Sequence, residues 1–328
     1  MTEKFENQGA SRPRRAHLWP FVQNVVAVAI VVGFGWYLWR SRALFESVLE
    51  VSWSDLASIG LGVVLTWLAS SAQAFLMYRA EGLRIGFWEN FLLTVAGIMV
   101  NHLPLRMGTL VRMRYLKAVH GFRYARSISI AGIRLVLLVT ATGLLGLAGT
   151  LGIWWSGGRL SVELSLIFGV ILVLACLAAF RPPPLSQRTG RFFRIWNDFS
   201  TGFAAMRERP SVTAQVLGLI LIQLLVMAWR FSLTLGAVGF EASAALLVVL
   251  APATTLSSFV SIVPGGLGFR EAVMGYITLT TGFAFNTGLF AGAVDRAVLL
   301  ALVLTLGLVG FFYVYSRISG SDARNTTD

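Results

Sequence analysis

The chain has 328 residues, of which 56% are hydrophobic and 13% are charged. This composition excludes an ordinary water-soluble domain and predicts an integral membrane protein. The formal net charge is +12, and Lys4 and Lys117 are the only lysines, so arginine carries almost all of the positive charge. No water-exposed basic domain is present, which excludes a nucleic-acid-binding function. The single cysteine, Cys176, leaves no pair for an internal disulfide and no thiolate set for a metal.

Six apolar segments reach the roughly 20 residues that a helix needs to cross the hydrocarbon core. They are residues 18–39, 56–78, 127–152, 161–180, 213–235 and 287–315. The first follows a basic tail, residues 1–17, and lacks a small-residue cleavage site, so it is predicted to be an uncleaved span. A short tail, residues 317–328, is expected to follow the transmembrane domain, residues 18–316.

Two shorter apolar segments, residues 90–105 and 243–263, end in VNHLPLRMG and VSIVPGGLGFRE. Proline removes a backbone donor, so each segment is predicted to be a broken or re-entrant helix whose free peptide groups need partners from protein, water or a ligand. The alternative is a kink that only serves helix packing. The predicted fold is therefore all-α, a polytopic transmembrane bundle of about six spans and two broken helices.

Arginines are unevenly distributed between the two sides of this bundle. The N-terminal tail, residues 79–126, residues 181–209 and the C-terminal tail carry most of them, whereas Arg40, Arg42 and Arg159 fall on the opposite side. Basic loops stay cytoplasmic, which predicts an inner-membrane protein with both termini in the cytoplasm, provided that each broken segment enters and leaves on one side.

Short motifs of the first half of the chain recur in the second half. Pro104 and Gly108 recur as Pro264 and Gly268, Gly121-Phe122 as Gly282-Phe283, and the arginine motif at Arg134 as that at Arg296, while Gly86-Phe87 and Gly239-Phe240 precede the two broken segments. Such matches also arise by chance in a sequence rich in Leu, Val and Gly. A true duplication predicts inverted repeats over about 56–180 and 211–316, an architecture that transporters use.

The connector between the halves, residues 181–210, interleaves arginines with phenylalanines and Trp196. This pattern predicts an amphipathic helix that lies on the cytoplasmic headgroups. The alternative is a docking surface for a partner protein.

Two arginines are predicted to lie deep in the bilayer. Arg134 and Arg296 are about seven and nine residues into their spans, roughly 10 to 14 Å below the nearer interface at 1.5 Å per residue. A cation at the centre of a span costs at least about 2.5 to 3.5 kcal/mol, so each is expected to face a wet cavity, an acid or a lipid phosphate. Glu271 and Asp295 are the acids available in the second half, so an ion pair of Arg270 or Arg296 with Glu271 is the alternative to a ligand site.

Further candidates for binding a lipid phosphate surround the two proline motifs. Arg106 and Arg112 follow the first motif, and Arg270 opens a helix predicted to begin near Phe269, whose N-terminus suits an anion. Asn101 and His102 lie at the tip of the first broken segment, where the alternative role is to cap the backbone. Arg230 lies near a span end and is predicted to snorkel to the interface, the alternative being a further cavity residue.

Signals of catalysis are absent from the sequence. Ser257, Ser258 and Ser261 precede the second proline motif without a G-x-S-x-G motif, a Ser/His/Asp grouping or a Walker-type loop. The three histidines are too far apart in the sequence to predict a metal site. We therefore expect no catalytic residues, no metal and no cofactor.

The stretches GFWENFLLTVAGIMVNHLPLRMGTLVRMRYLKAVHGF, LSSFVSIVPGGLGFREAVMGYI and AVDRAVLL resemble the paired signatures of the lysylphosphatidylglycerol synthase transmembrane region, a flippase-like family. The resemblance covers residues 18–316 and implies a polytopic bundle that moves an anionic or modified lipid between leaflets. Many members carry an acid shortly after the first-motif glycine, where this chain has Thr109. The soluble aminoacyltransferase domain of the full-length synthases is expected to be missing. The family motifs match Asn101, Pro104, Arg106, Gly108 and Arg112, then Pro264, Gly265, Gly266, Gly268 and Glu271.

The predicted function is a transporter that moves an anionic phospholipid or a lipid-linked phosphate between leaflets through an arginine-lined cavity. One alternative is a non-transporting membrane protein that recruits a lipid- or glycan-modifying enzyme through residues 181–210. The other is an intramembrane lipid transferase with His102 or Glu271 as the base, for which the sequence offers no nucleophile.

Overall fold

The computed structural model describes residues 51–102, 107–158, 161–180, 208–260 and 268–324. These residues form α-helices joined by turns and contain no strand, which confirms the predicted all-α bundle. The predicted span 18–39 and nearly all of the connector 181–210 lie outside the described residues. The helices are Trp53–Ala80 (α1), Phe87–Asn101 (α2), Gly108–His120 (α3), Tyr124–Trp155 (α4), Val162–Phe180 (α5), Pro210–Ala237 (α6), Ala244–Val260 (α7), Phe269–Thr280 (α8) and Phe285–Arg324 (α9).

Four of these helices, α1, α4, α6 and α9, are long and apolar enough to cross a membrane. They coincide with the spans predicted at residues 56–78, 127–152, 213–235 and 287–315. The segment predicted at 161–180 also forms an apolar helix, α5, but its apolar part, Val162–Leu177, is shorter than these four.

Both predicted helix breaks are present in the fold. α2 has 15 residues and α7 has 17, fewer than the roughly 20 needed to cross the hydrocarbon core. A short helix follows each of them, α3 from Gly108 and α8 from Phe269. The helical structure is therefore interrupted in both regions that contain the proline motifs. α8 begins at the residue that the sequence predicts.

Several helix contacts recur between the two halves when α1 to α4 are matched with α6 to α9. α1 packs on α6, α2 packs on α9 and, reciprocally, α7 packs on α4. Within each half, α2 contacts α1 and α3, just as α7 contacts α6 and α8. This exchange of partners is what a two-fold relation between the halves produces, so it supports the predicted duplication. α5 packs on α4 and has no counterpart among the described helices.

The turns that end corresponding helices also match. Gly82 and Gly239 follow α1 and α6 with φ of +79° and +76°, and Gly121 and Gly282 follow α3 and α8 with φ of +65° and +92°. Glycine adopts this left-handed conformation without a side-chain clash, and the next amide then donates to a carbonyl in the last helical turn. The sequence pattern matches Gly239 with Gly86 instead, but Gly86 has a φ of −72° and precedes α2.

Two glycines bring the broken helices close to the long ones. A Cβ on Gly149 of α4 would lie 2.7 Å from Val249 Cγ2 of α7. In the other half, a Cβ on Gly310 of α9 would lie 2.6 Å from the Leu92 carbonyl oxygen of α2. Neither position has room for a side chain, so the broken helices are held tightly against α4 and α9.

Candidate functional site

Two adjoining cavities lie beside the breaks in the helices. The first cavity, of about 360 Å³, is lined mainly by α1 to α4 and contains Arg112 and Arg134. The second cavity, of about 460 Å³, is lined by α2, α3, α7, α8 and α9 and contains Arg270 and Arg296. The two share a wall, because four residues line both: Ile98, Asn101, Thr109 and Phe259.

Arg112 and Arg134 bring two positive charges to the first cavity. Arg134 donates from Nε to Gln73 Oε1 at 3.0 Å and from Nη2 to Ser70 Oγ at 2.6 Å. Arg112 donates from Nη2 to Thr94 Oγ1 at 2.7 Å. The ion pairs among the described residues involve neither arginine, and the two repel each other electrostatically. Neutral partners therefore orient these cations without cancelling their charge, which is a costly arrangement at membrane depth.

Polar side chains complete the first cavity. Ser127 is 5% exposed and lines the cavity, and its Oγ has no hydrogen-bond partner among the described residues. An unsatisfied buried polar group costs about 1 to 3 kcal/mol, so this hydroxyl is suited to a ligand. Gln73 donates from Nε2 to Gln223 Oε1 of α6 at 2.7 Å, which leaves its own oxygen directed at Arg134.

A cluster of five charged side chains lies at the second cavity, where Arg270 and Arg296 form part of the lining. Asp295 is fully buried and pairs through Oδ1 with Arg230 Nε at 2.7 Å and through Oδ2 with Arg270 Nη2 at 2.7 Å. Glu271, which is 3% exposed, pairs with Arg296. Asp295 is thus shared by two cations, Arg230 and Arg270, so within this triad one acid faces two positive charges. The members of the charged cluster are Arg230, Arg270, Glu271, Asp295 and Arg296.

The two deep arginines therefore have different environments. Arg296 forms the ion pair with Glu271 that the sequence analysis holds open as the alternative to a ligand site. Arg134 has only neutral hydrogen-bond partners among the described residues. Of the environments expected for the two arginines, Arg296 has the acid, whereas Arg134 faces a cavity with neutral hydrogen-bond partners among the described residues.

The prediction that Arg230 snorkels to the interface is wrong. Its side chain is 2% exposed and pairs with Asp295. α6 continues to Ala237, so Arg230 lies about 10 Å from the helix end at 1.5 Å per residue. Gly62 of α1 makes room for its stem, because a Cβ there would lie 3.0 Å from Arg230 Cγ. The burial of Arg230 could have been predicted from Asp295, because an acid deep in a span needs a cation as its partner.

Asn101 and His102 satisfy backbone groups beside the first break. Asn101 Oδ1 accepts from the Gly108 amide at 2.9 Å, and His102 Nδ1 donates to the Ile98 carbonyl at 2.9 Å. The capping role is therefore present, and both side chains also line the second cavity.

The remaining predicted site residues fall at the two breaks. Gly268 precedes α8 with a φ of +75°. Arg106 and the other proline-motif residues lie outside the described residues, so their roles stay predictions; they are Pro104, Pro264, Gly265 and Gly266. Within the described part of the chain, no group of three His, Cys, Asp or Glu side chains is placed to hold a metal ion.

The fold and the cavities define an integral membrane protein whose polar side chains are gathered inside a helix bundle. The chain belongs to the family described as the lysylphosphatidylglycerol synthase TM region, which matches residues 24–307. This match confirms the resemblance noted in the sequence. A search of curated proteins found no match to the chain.

Proposed function

We propose that the protein moves an anionic phospholipid or a lipid-linked phosphate between the leaflets of the inner membrane. The observation that carries this proposal is the charge of Arg112 and Arg134, which face the first cavity with neutral hydrogen-bond partners. Guanidinium groups bind phosphate with paired, charge-assisted hydrogen bonds, and lipid headgroups are the most abundant phosphates of a membrane.

In this proposal the headgroup enters the cavities while the acyl chains stay in the bilayer. The phosphate first binds Arg112 and Arg134, then reaches Arg270 across the shared wall. Asp295, which pairs with Arg270, competes with the phosphate and promotes its release. The matched packing of the two halves suits a rocking motion that opens the cavities to each leaflet in turn.

A non-enzymatic role is part of the proposal. Glu271 pairs with Arg296 and is 3% exposed, which is a poor setting for a general base. His102 lines the second cavity, but no nucleophile and no acid is paired with it among the described residues. These contacts favour transport over the intramembrane transferase.

Leaflet exchange in proteoliposomes tests this function. Fluorescent phosphatidylglycerol is expected to exchange faster than fluorescent phosphatidylcholine, and Arg134→Gln should slow the exchange of phosphatidylglycerol by roughly 10- to 100-fold. That range corresponds to one charged hydrogen-bond site of about 1.5 to 3 kcal/mol. The rate is measured by the loss of accessible fluorescence after a membrane-impermeant quencher is added.

Arg126→Gln is the matched control, because Arg126 is an exposed arginine on the same helix, α4. It should exchange lipid at the rate of the unmodified protein. Equal exchange of the two lipids, or an unchanged rate in Arg134→Gln, would contradict the proposed function.

A further inference from the structure

We infer that the two cavities together bind one headgroup that carries two phosphate groups. The inference rests on the proposed function and names its class of substrate. One phosphate binds Arg112 and Arg134 in the first cavity, and the other binds Arg270 in the second.

The first argument for two phosphate groups is the balance of charge in the two cavities. The first cavity holds two arginines that no described acid neutralises, and beside the second cavity Arg230 and Arg270 share the single acid Asp295, which leaves one further positive charge. A zwitterionic headgroup brings no net charge to balance these three positive charges, and a single phosphodiester neutralises only one of the three. Two phosphate groups bring at least two negative charges, so they match the surplus more closely.

The second argument for two phosphate groups is that the two cavities adjoin. The cavities share the wall formed by Ile98, Asn101, Thr109 and Phe259, and none of these four side chains is charged. A single phosphate occupies one cavity and leaves the arginines of the other unused. Ser127, whose buried Oγ has no partner among the described residues, supplies another donor on the side of Arg134.

Arg270 is placed to contact a ligand without leaving its acid unpaired. It is the most exposed cation of the charged cluster, with a side chain 14% exposed, and it lines the second cavity. Its acid, Asp295, is also held by Arg230 through a contact of 2.7 Å. Asp295 therefore stays paired when Arg270 binds a phosphate, which removes the penalty of leaving a buried carboxylate alone.

Two lipid chemistries carry paired phosphates, and each has a single-phosphate counterpart. Farnesyl diphosphate is compared with farnesyl monophosphate, and diphosphatidylglycerol with phosphatidylglycerol. Inorganic pyrophosphate and orthophosphate form a third pair that has no lipid tail. Binding to the full chain in detergent is measured by calorimetry. The two-phosphate member of at least one lipid pair should bind at least tenfold more tightly, about 1.4 kcal/mol, than its counterpart.

The three comparisons separate the sources of the ligand. A preference for farnesyl diphosphate assigns the site to adjacent phosphates on an isoprenoid, and a preference for diphosphatidylglycerol assigns it to glycerol-bridged phosphates. Both results support the inference. A preference shown by inorganic pyrophosphate alone would overturn it, because the ligand would then be a free phosphate compound rather than a lipid.

Two substitutions test whether one headgroup occupies both cavities at once. Arg270→Gln should reduce the preference at least about threefold, because the second phosphate loses its cation. Thr109 is exposed and lines both cavities, so Thr109→Glu tests the same point without disturbing the charged cluster. It should abolish the preference through repulsion, whereas Thr109→Gln should keep it.

The inference and the proposed function can fail separately. If paired ligands bind within about threefold of each other, or if Thr109→Glu keeps the preference, the inference is wrong even where Arg134→Gln still stops lipid exchange. If the preference is present but the protein exchanges no lipid, the proposed function is wrong and the binding site stands.

Discussion

Replacing Asp295 by asparagine should lower the free energy of unfolding by about 3 to 5 kcal/mol, the usual cost of removing one partner from a buried ion pair. The Asp295 carboxylate is 0% exposed and is within 2.7 Å of Arg230 Nε and of Arg270 Nη2. Asparagine cannot neutralise either guanidinium, so Arg230 would be left charged in a position where it is 2% exposed. The measurement is thermal unfolding of the purified protein in detergent.

Glu241→Gln controls for the loss of one negative charge. Glu241 is exposed in the turn between α6 and α7, so its replacement should change the unfolding temperature little. Adding Arg230→Gln to Asp295→Asn should restore part of the lost stability, because it removes the unpaired cation. If Asp295→Asn is as stable as Glu241→Gln, Asp295 does not hold the charged cluster together.

Replacing Gly108 by alanine should destabilise the protein by about 3 kcal/mol or more, at the upper end of the range for overpacking. A Cβ at this position would overlap the Gly97 carbonyl oxygen of α2 and would lie 2.6 Å from Asn101 Oδ1. The obstacle is backbone, so α2 and α3 would have to separate, and the hydrogen bond from the Gly108 amide to Asn101 Oδ1 would be lost. Unfolding in detergent and the yield of monodisperse protein both report this change.

Gly218→Ala is the matched control. Gly218 lies within α6, and a Cβ there would meet nothing within 4 Å. Alanine favours a helix by up to about 1 kcal/mol over glycine, so this variant should be as stable as the unmodified protein or more so. Equal stability of Gly108→Ala and Gly218→Ala would show that α2 and α3 do not approach as closely as described.

Local signals in the sequence account for the helices and their breaks. The length of an apolar run and the position of proline and glycine depend on nearby residues alone, so the four long spans and the start of α8 at Phe269 follow from them. The depth of Arg134 follows in the same way, since it needs only a count of residues from the helix end.

Contacts between distant segments could not be predicted in this way. Arg230 and Asp295 pair across two helices that are far apart in sequence, and nothing local to Arg230 distinguishes a buried pair from a snorkelling side chain. The partners of Arg134, Ser70 and Gln73, are ordinary polar residues of α1 until the fold brings α1 and α4 together. Likewise, only the φ angles show that Gly82, and not Gly86, occupies the turn that corresponds to the turn at Gly239.

Lipid transport as proposed requires that phosphate from a lipid headgroup binds to Arg112 and Arg134. Electron cryomicroscopy of the protein in nanodiscs that contain phosphatidylglycerol tests this most directly. We expect headgroup density in the first cavity, with a phosphate within hydrogen-bond distance of both guanidinium groups. An acidic side chain of the protein itself, paired with both arginines in place of that phosphate, would contradict it.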